Sequence, residues 1–159
     1  HALMGKQNHF EHSIKVPLIF KGPGLPKGKI VESWVYLFDI FPTLCDYLGH
    51  KPPVSITGQS FYKCFFSKRD HRKVMYYSYG ATARSVRKED FKLSEYVGEK
   101  GERTCLLFNI AKDPNELHNL YFEDQQKFQE MRGELLKMRD EVGDTTREAS
   151  IAFWKQSYV

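Results

Sequence analysis

Apolar positions fall into runs whose spacing changes near the middle of the chain. Residues 16–20 (VPLIF) are continuously apolar and close on Gly22, Pro23 and Gly24, the pattern of a short buried strand ending in a turn. A second apolar run covers 34–38. Asp39 follows as an N-cap candidate, Pro42 sits in the first turn of a helix running through Leu44 and Leu48, and Gly49 stands ready to terminate it. A strand followed by a helix is the unit of a layered α/β fold. Residues 50–72 mix prolines with a basic cluster, and a subdomain boundary is expected at 66–73. Beyond it, short runs at 74–79, 83–87, 91–97 and 105–110 read as strands, with Gly98 and Gly101 framing a hairpin turn. Strands this close together, with no helix between them, predict a small antiparallel sheet.

Helical signals return near the end. Asp113, Pro114 and Glu116 have the order of a capped helix start. A longer helix is expected from about 124 to 142, where Phe128, Met131, Leu135, Met138 and Val142 recur at spacings of three and four. Such a stripe suits a helix that covers a sheet. Gly143 and Asp144 end it, and the aromatic tail at 152–158 is expected to dock on the core. The chain thus divides into 1–69, the end of a larger α/β layer, and 70–159, an α+β subdomain of antiparallel sheet plus helix.

Composition narrows this picture. Aromatic residues make up 14% of the 159, enough apolar surface to offset the entropy of ordering. No apolar run approaches the roughly 20 residues that a bilayer-spanning helix needs. The first ten residues lack the apolar segment of a signal peptide, and without an initiator Met the sequence reads as starting inside a longer product. The net charge is +4 with the cations scattered, apart from 68–73 (KRDHRK), which reads as a solvated loop; no nucleic-acid motif accompanies it. Cys45, Cys64 and Cys105 form no CxxC pair, so neither a zinc site nor a disulfide framework is expected.

Candidate chemistry gathers in the first fifteen residues. His1, Lys6, His9, Glu11, His12 and Lys15 crowd before the expected buried strand, where open α/β sheets place their binding sites. His1, His9 and His12 have no familiar zinc spacing, and no carboxylate or cysteine pattern completes them. Lys6, beside Gly5, is a compact threefold donor that can meet an oxyanion; an ordinary surface lysine is the other reading.

The string at 5–28 (GKQNHFEHSIKVPLIFKGPGLPKG) resembles the segment of type I sulfatases that follows their second metal-binding motif. Three further stretches are similar in order and spacing. They are 35–49 (VYLFDIFPTLCDYLG), 84–87 (RSVR) with 91–93 (FKL), and 107–109 (LFN) with 113–116 (DPNE) and Asn119-Leu120. The resemblance implies the end of an alkaline-phosphatase-like α/β sandwich plus a small C-terminal subdomain. It implies an enzyme that hydrolyses sulfate esters, with a formylglycine made in a Cys/Ser-x-Pro/Ala-x-Arg motif attacking sulfur beside a bound Ca2+. None of the three cysteines lies in that motif, and the calcium ligands are expected upstream of residue 1. The chain alone is therefore expected to be inactive. Its partners are then the upstream N-terminal part of the same protein and a sulfated small molecule or sugar.

On this resemblance Lys6 corresponds to the lysine that contacts the sulfate group. His1 falls where relatives place a histidine, as a substrate contact or a loop residue. His9 and His12 read as supporting loop residues, and Lys15 as an ion-pair partner of a carboxylate. Arg84 and Arg87 read as anchors of the small sheet, with approach to an anionic substrate as the alternative. Two other functions stay open: a phosphonate or phosphate ester hydrolase of the same superfamily, and a non-catalytic module. By family analogy the compartment is periplasmic, secreted or lysosomal.

Overall fold

Alternation of apolar and polar side chains between residues 74 and 109 is realised as four strands in the computed structural model, which describes residues 7–155. They are β1 (Val74–Tyr79), β2 (Ala83–Lys88), β3 (Phe91–Val97) and β4 (Arg103–Asn109), joined as an antiparallel meander in the order β1-β2-β3-β4. The register sets Tyr76 opposite Val86, Val86 opposite Leu93, and Leu93 opposite Leu107, so one face carries a continuous apolar row. The β3–β4 hairpin closes at Gly98 and Gly101. Gly101 takes a positive φ of 89°, which a side chain would disfavour.

One long helix covers that apolar face. α3 (Gln125–Val142) begins at Asp124, whose carboxylate accepts the Lys127 N–H at 2.9 Å, and stops at Gly143 in the left-handed conformation. Phe128, Met131 and Leu135 are buried against Tyr76, Val86, Leu93, Cys105 and Leu107, and Met138 packs at the edge of the same cluster. Val142, the last position of the expected stripe, points outward. A short C-terminal helix (Glu148–Trp154) then returns Phe153 to full burial. There its ring lies 4.7 Å from the guanidinium carbon of Arg84 and 4.5 Å from that of Arg103. Asp144 fixes this return by accepting from Arg84, from Tyr76 at 2.5 Å, from Ser150 at 2.5 Å and from Trp154 at 3.0 Å. Burial pushes the Asp144 carboxyl up, but these hydrogen bonds outweigh it and hold the group below the usual carboxylate range.

The opposite sheet face is covered by residues 8–14, which include a one-turn helix, α1 (Glu11–Ile14). Phe10 packs there against Phe108 and Ile110. Residues 7–17 therefore belong with 74–155 in one compact unit, and Leu18–Lys73 form another.

That second unit contains a 3-10 turn (Leu37–Asp39), α2 (Ile40–Tyr47) and a further 3-10 turn (Tyr62–Phe65). Its organising group is Asp39, fully buried. The carboxylate accepts from Tyr36 N–H at 2.9 Å, Gln59 N–H at 2.8 Å and the Arg72 guanidinium at 2.6 and 3.0 Å, with His71 Nε2 at 3.3 Å. Burial raises its pKa, but the Arg72 and backbone N–H bonds prevail and lower it.

Four local expectations change. The run at 16–20 forms no strand among the described residues. The run at 34–38 closes into the 3-10 turn, because the Asp39 carboxylate draws the Tyr36 N–H back onto itself instead of capping α2. Residues 113–116 make a turn rather than a helix: Asp113 accepts from the His118 N–H at 2.8 Å, and Glu116 takes a positive φ of 56°. The basic cluster at 68–73 is only partly solvated, since His71 and Arg72 turn inward to Asp39. Among the described residues no helix is long and apolar enough to cross a membrane.

This core assigns unequal weight to the α3 stripe. Leu135→Ala should destabilise the intact protein by about 2–5 kcal/mol, the range for truncating a buried leucine. Val142→Ala should stay within about 0.5 kcal/mol. Denaturant unfolding of both variants checks the difference.

Candidate functional site

Period-two geometry sends alternate residues of β3 to opposite faces. Phe91, Leu93 and Val97 go toward α3, while Lys92, Ser94 and Tyr96 go toward residues 8–14. Lys92 is thereby placed under α1 with 1% exposure. Its ammonium donates to the His9 carbonyl at 2.8 Å and pairs with Glu11 Oε1 at 3.1 Å and with Glu116. Glu116 reaches this point because its left-handed turn aims the side chain back over the sheet; its Oε2 accepts the Glu11 N–H at 2.6 Å. Arg87 on β2 adds a bond to Glu11 Oε2 at 2.7 Å. Two cations thus meet two carboxylates, which a low-dielectric site requires.

His9 completes the clamp. Its backbone N–H donates to the Tyr96 hydroxyl at 2.9 Å, and its Nδ1 lies 2.7 Å from Ser85 Oγ. Burial, reinforced by Lys92 and Arg84, lowers its pKa from 6.5 to about 4, so the ring is neutral near pH 7. A serine beside a neutral histidine has the spacing of a nucleophile and its base. Here Ser85 is fully buried and its hydroxyl donates to Ser94 Oγ at 2.7 Å, which leaves the His9 N–H as donor to Ser85. The pair fastens the chain and offers no path to a substrate.

Above the clamp lies an open cleft of about 670 Å³, lined by Glu11, His12, Lys15, Arg87, Asn115 and Glu116 among others. His12 is exposed, its ring stacked on Phe10 at 5.9 Å. Lys15, expected in an ion pair, instead lies exposed on the cleft wall. Arg84 and Arg87 are both held by carboxylates, Asp144 and Glu11, as anchors of the sheet.

His1 and Lys6 lie outside the described residues. What the structure fixes is the chain just after them. Asn8, two positions beyond Lys6 in sequence, is buried and accepts the Phe10 N–H at 3.1 Å. Sequence reasoning missed Lys92, Glu116 and the partnership of Glu11. A signal was present: Lys92, Ser94 and Tyr96 share one strand face, and a polar face of that kind needs a polar cover. Among the described residues no three His, Cys, Asp or Glu side chains gather to hold a metal. Cys105 is buried and its thiol is pushed up to about 11, away from nucleophilic reactivity.

The His9 shift sets a pH dependence. Below pH 6.5 the unfolded chain binds a proton that the folded chain refuses until about pH 4. Stability is therefore complete above 6.5 and falls as the pH drops through this window, by about 3 kcal/mol. Melting of the intact protein between pH 4 and 7 should show that slope, and His9→Gln should remove most of it. The remainder belongs to His71, whose pKa is also lowered, by burial first. An unchanged slope in His9→Gln would contradict the assignment.

Comparison with known proteins adds the lineage. Residues 1–142 match the family model described as N-sulphoglucosamine sulphohydrolase, C-terminal. A sulfatase of Formosa agariphila is 30% identical over 112 residues, covering 69% of this chain and 21% of that protein. A Delta 4,5-hexuronate-2-O-sulfatase of Bacteroides thetaiotaomicron is 29% identical over 133 residues, covering 76% of this chain and 27% of that protein. A solved structure, in complex with its substrate D-glucosamine-2-N,6-O-disulfate, shares the fold at TM-score 0.59 and 23% identity, over 68% of this chain and 24% of that one. This chain spans about a quarter of the length of these relatives. The four-stranded antiparallel sheet with its covering helix accords with the alkaline-phosphatase-like fold of such proteins. On this match the chain belongs to the sulfatases, as a C-terminal portion of the N-sulphoglucosamine sulphohydrolase type.

Proposed function

We propose that the intact protein hydrolyses sulfate esters of a sugar, and that this chain contributes the lysine that grips the sulfate. The observation that carries the reading is the family match over residues 1–142, which takes in the Gly5-Lys6 segment and the sheet on which the following residues are clamped. The named relatives act on a sulfated hexuronate and a sulfated glucosamine, which supports a sulfated sugar as the substrate class.

The chemistry asked of Lys6 is electrostatic. Sulfuryl transfer places charge on the sulfuryl and leaving oxygens, and a fixed ammonium near them lowers that transition state more than the ground state. A mobile lysine would spend part of this advantage on ordering itself. The clamp of His9, Glu11 and Lys92 limits that loss by holding the residues that follow Lys6. The described residues fit neither a calcium site nor the formylglycine motif. Nucleophile and calcium ligands are assigned to the part upstream of residue 1.

The test is turnover of p-nitrophenyl sulfate by the intact protein, beside the matching phosphate and phosphonate esters. Sulfate should be the preferred ester. Lys6→Ala should lower kcat/KM about a hundredfold to a thousandfold, or about 2.7–4 kcal/mol, as for loss of an oxyanion donor. Melting should not change. Preference for phosphate or phosphonate would overturn the sulfatase reading, and a normally folded Lys6→Ala that keeps most of its activity would remove Lys6 from the site.

A further inference from the structure

Charge divides unevenly between the two compact units. Leu18–Lys73 carries nine Lys and Arg against four Asp and Glu, while the rest of the chain holds fifteen against sixteen. Arg72 and Asp39 neutralise each other inside the basic unit. Its other eight cations are exposed, beside only three exposed carboxylates. None of the eight forms an ion pair among the described residues. An imbalance confined to one part of a chain points to a polyanionic partner.

Contacts within the unit bring the segments that carry these cations together. The Phe20 ring packs 5.6 Å from Phe61 and 5.3 Å from Phe65, which sets Lys21 beside the 3-10 turn that holds Lys63. The Ser33 hydroxyl donates to the Arg69 carbonyl at 2.7 Å, tying the segment after Lys29 to Lys68 and Arg69. Lys21 and Lys27 line one open cleft of about 830 Å³. A pocket for a single small anion needs a few convergent, enclosed donors, and none of these six side chains is enclosed. Five of the six are lysines, compact charges on flexible stems, which suit anionic groups spaced irregularly along a chain.

We propose that the unit Leu18–Lys73 binds a sulfated polysaccharide chain through Lys21, Lys27, Lys29, Lys63, Lys68 and Arg69. Successive sulfate groups meet the cations, and the counterions released from the chain drive association. Nucleic acid is the other common polyanion, but no base-reading motif accompanies the cluster. The choice of a sulfated sugar rests on the function proposed above. The surface adds affinity for a polymer to the grip of Lys6 on one sulfate, and raises the local concentration of a polymeric substrate.

Titration of the intact protein with heparin fragments of defined length, at salt from about 50 to 300 mM, tests it. Lys63→Gln/Lys68→Gln/Arg69→Gln should weaken binding about tenfold or more at low salt and reduce the salt slope by about two to three, as three fewer released counterions require. Lys21→Gln/Lys27→Gln/Lys29→Gln should do the same, and decides if the first variant fails to fold. Lys100→Gln/Lys112→Gln/Lys155→Gln removes equal charge from exposed positions of the strand unit and should leave heparin binding unchanged. Melting, and turnover of the small ester p-nitrophenyl sulfate, should not change in any of the three. Absence of heparin binding would overturn the proposal, as would equal losses in all three variants, which mean that net charge alone is read. Tighter binding of single-stranded DNA of matched length would assign the surface to nucleic acid instead. Binding is read without turnover, so normal sulfate hydrolysis without heparin binding sinks this proposal alone. A failed ester assay beside heparin binding through these cations sinks only the sulfatase reading.

Discussion

Moving an ammonium and two carboxylates out of water costs several kcal/mol per ion, and only close, well-formed pairing recovers it. Lys92, Glu11 and Glu116 impose that condition on the strand unit. Lys92 is carried by a central strand, Glu116 by the turn after β4 and Glu11 by the first helical turn of the chain, so none is satisfied until all three segments are in place. The apolar contribution on this face is small, with Phe10 set on Phe108 and Ile110. Polar pairing therefore fixes the position of residues 8–14 on the sheet.

The same device recurs with two other carboxylates. Asp144 gathers donors from two strands and the C-terminal helix, and Asp39 gathers them from its own turn and from residues 59, 71 and 72. Both carboxyls are held below their ordinary pKa, so their stabilisation is present at neutral pH and is lost only as the pH falls below about 4. The neutral His9 acts in a higher window, between about 4 and 6.5. Acid should therefore act first on His9, and on His71 beside Asp39, before it titrates the Asp39 and Asp144 carboxylates.

What the sequence revealed follows from the range of the interactions involved. The four strands and α3 were legible because their partners lie close in sequence and their periodicity is local. The run at 16–20 has the composition of a buried strand, yet it forms none among the described residues, and Val16, Leu18 and Ile19 are exposed. Residues 113–116 carry a helix-start pattern, but the same Asp side chain caps a turn equally well. There the requirement that Glu116 reach Lys92 decides. The clamp joins residues 81 and 105 positions apart, a relation no local pattern encodes. Lys6 stood out only through resemblance, as its neighbours in sequence describe nothing beyond a basic loop.

The claim at the centre of this account is that the Glu11–Lys92 pair holds the lysine-bearing segment for catalysis. A double-mutant cycle on the intact protein tests it, using Glu11→Gln, Lys92→Met and the combined variant, with unfolding free energy and kcat/KM for a sulfate ester measured on each. The account predicts a coupling of about 1–3 kcal/mol in stability, and a fall in kcat/KM in each single variant under conditions where it remains folded. Additivity within about 0.5 kcal/mol, with turnover unchanged in the folded variants, would contradict it.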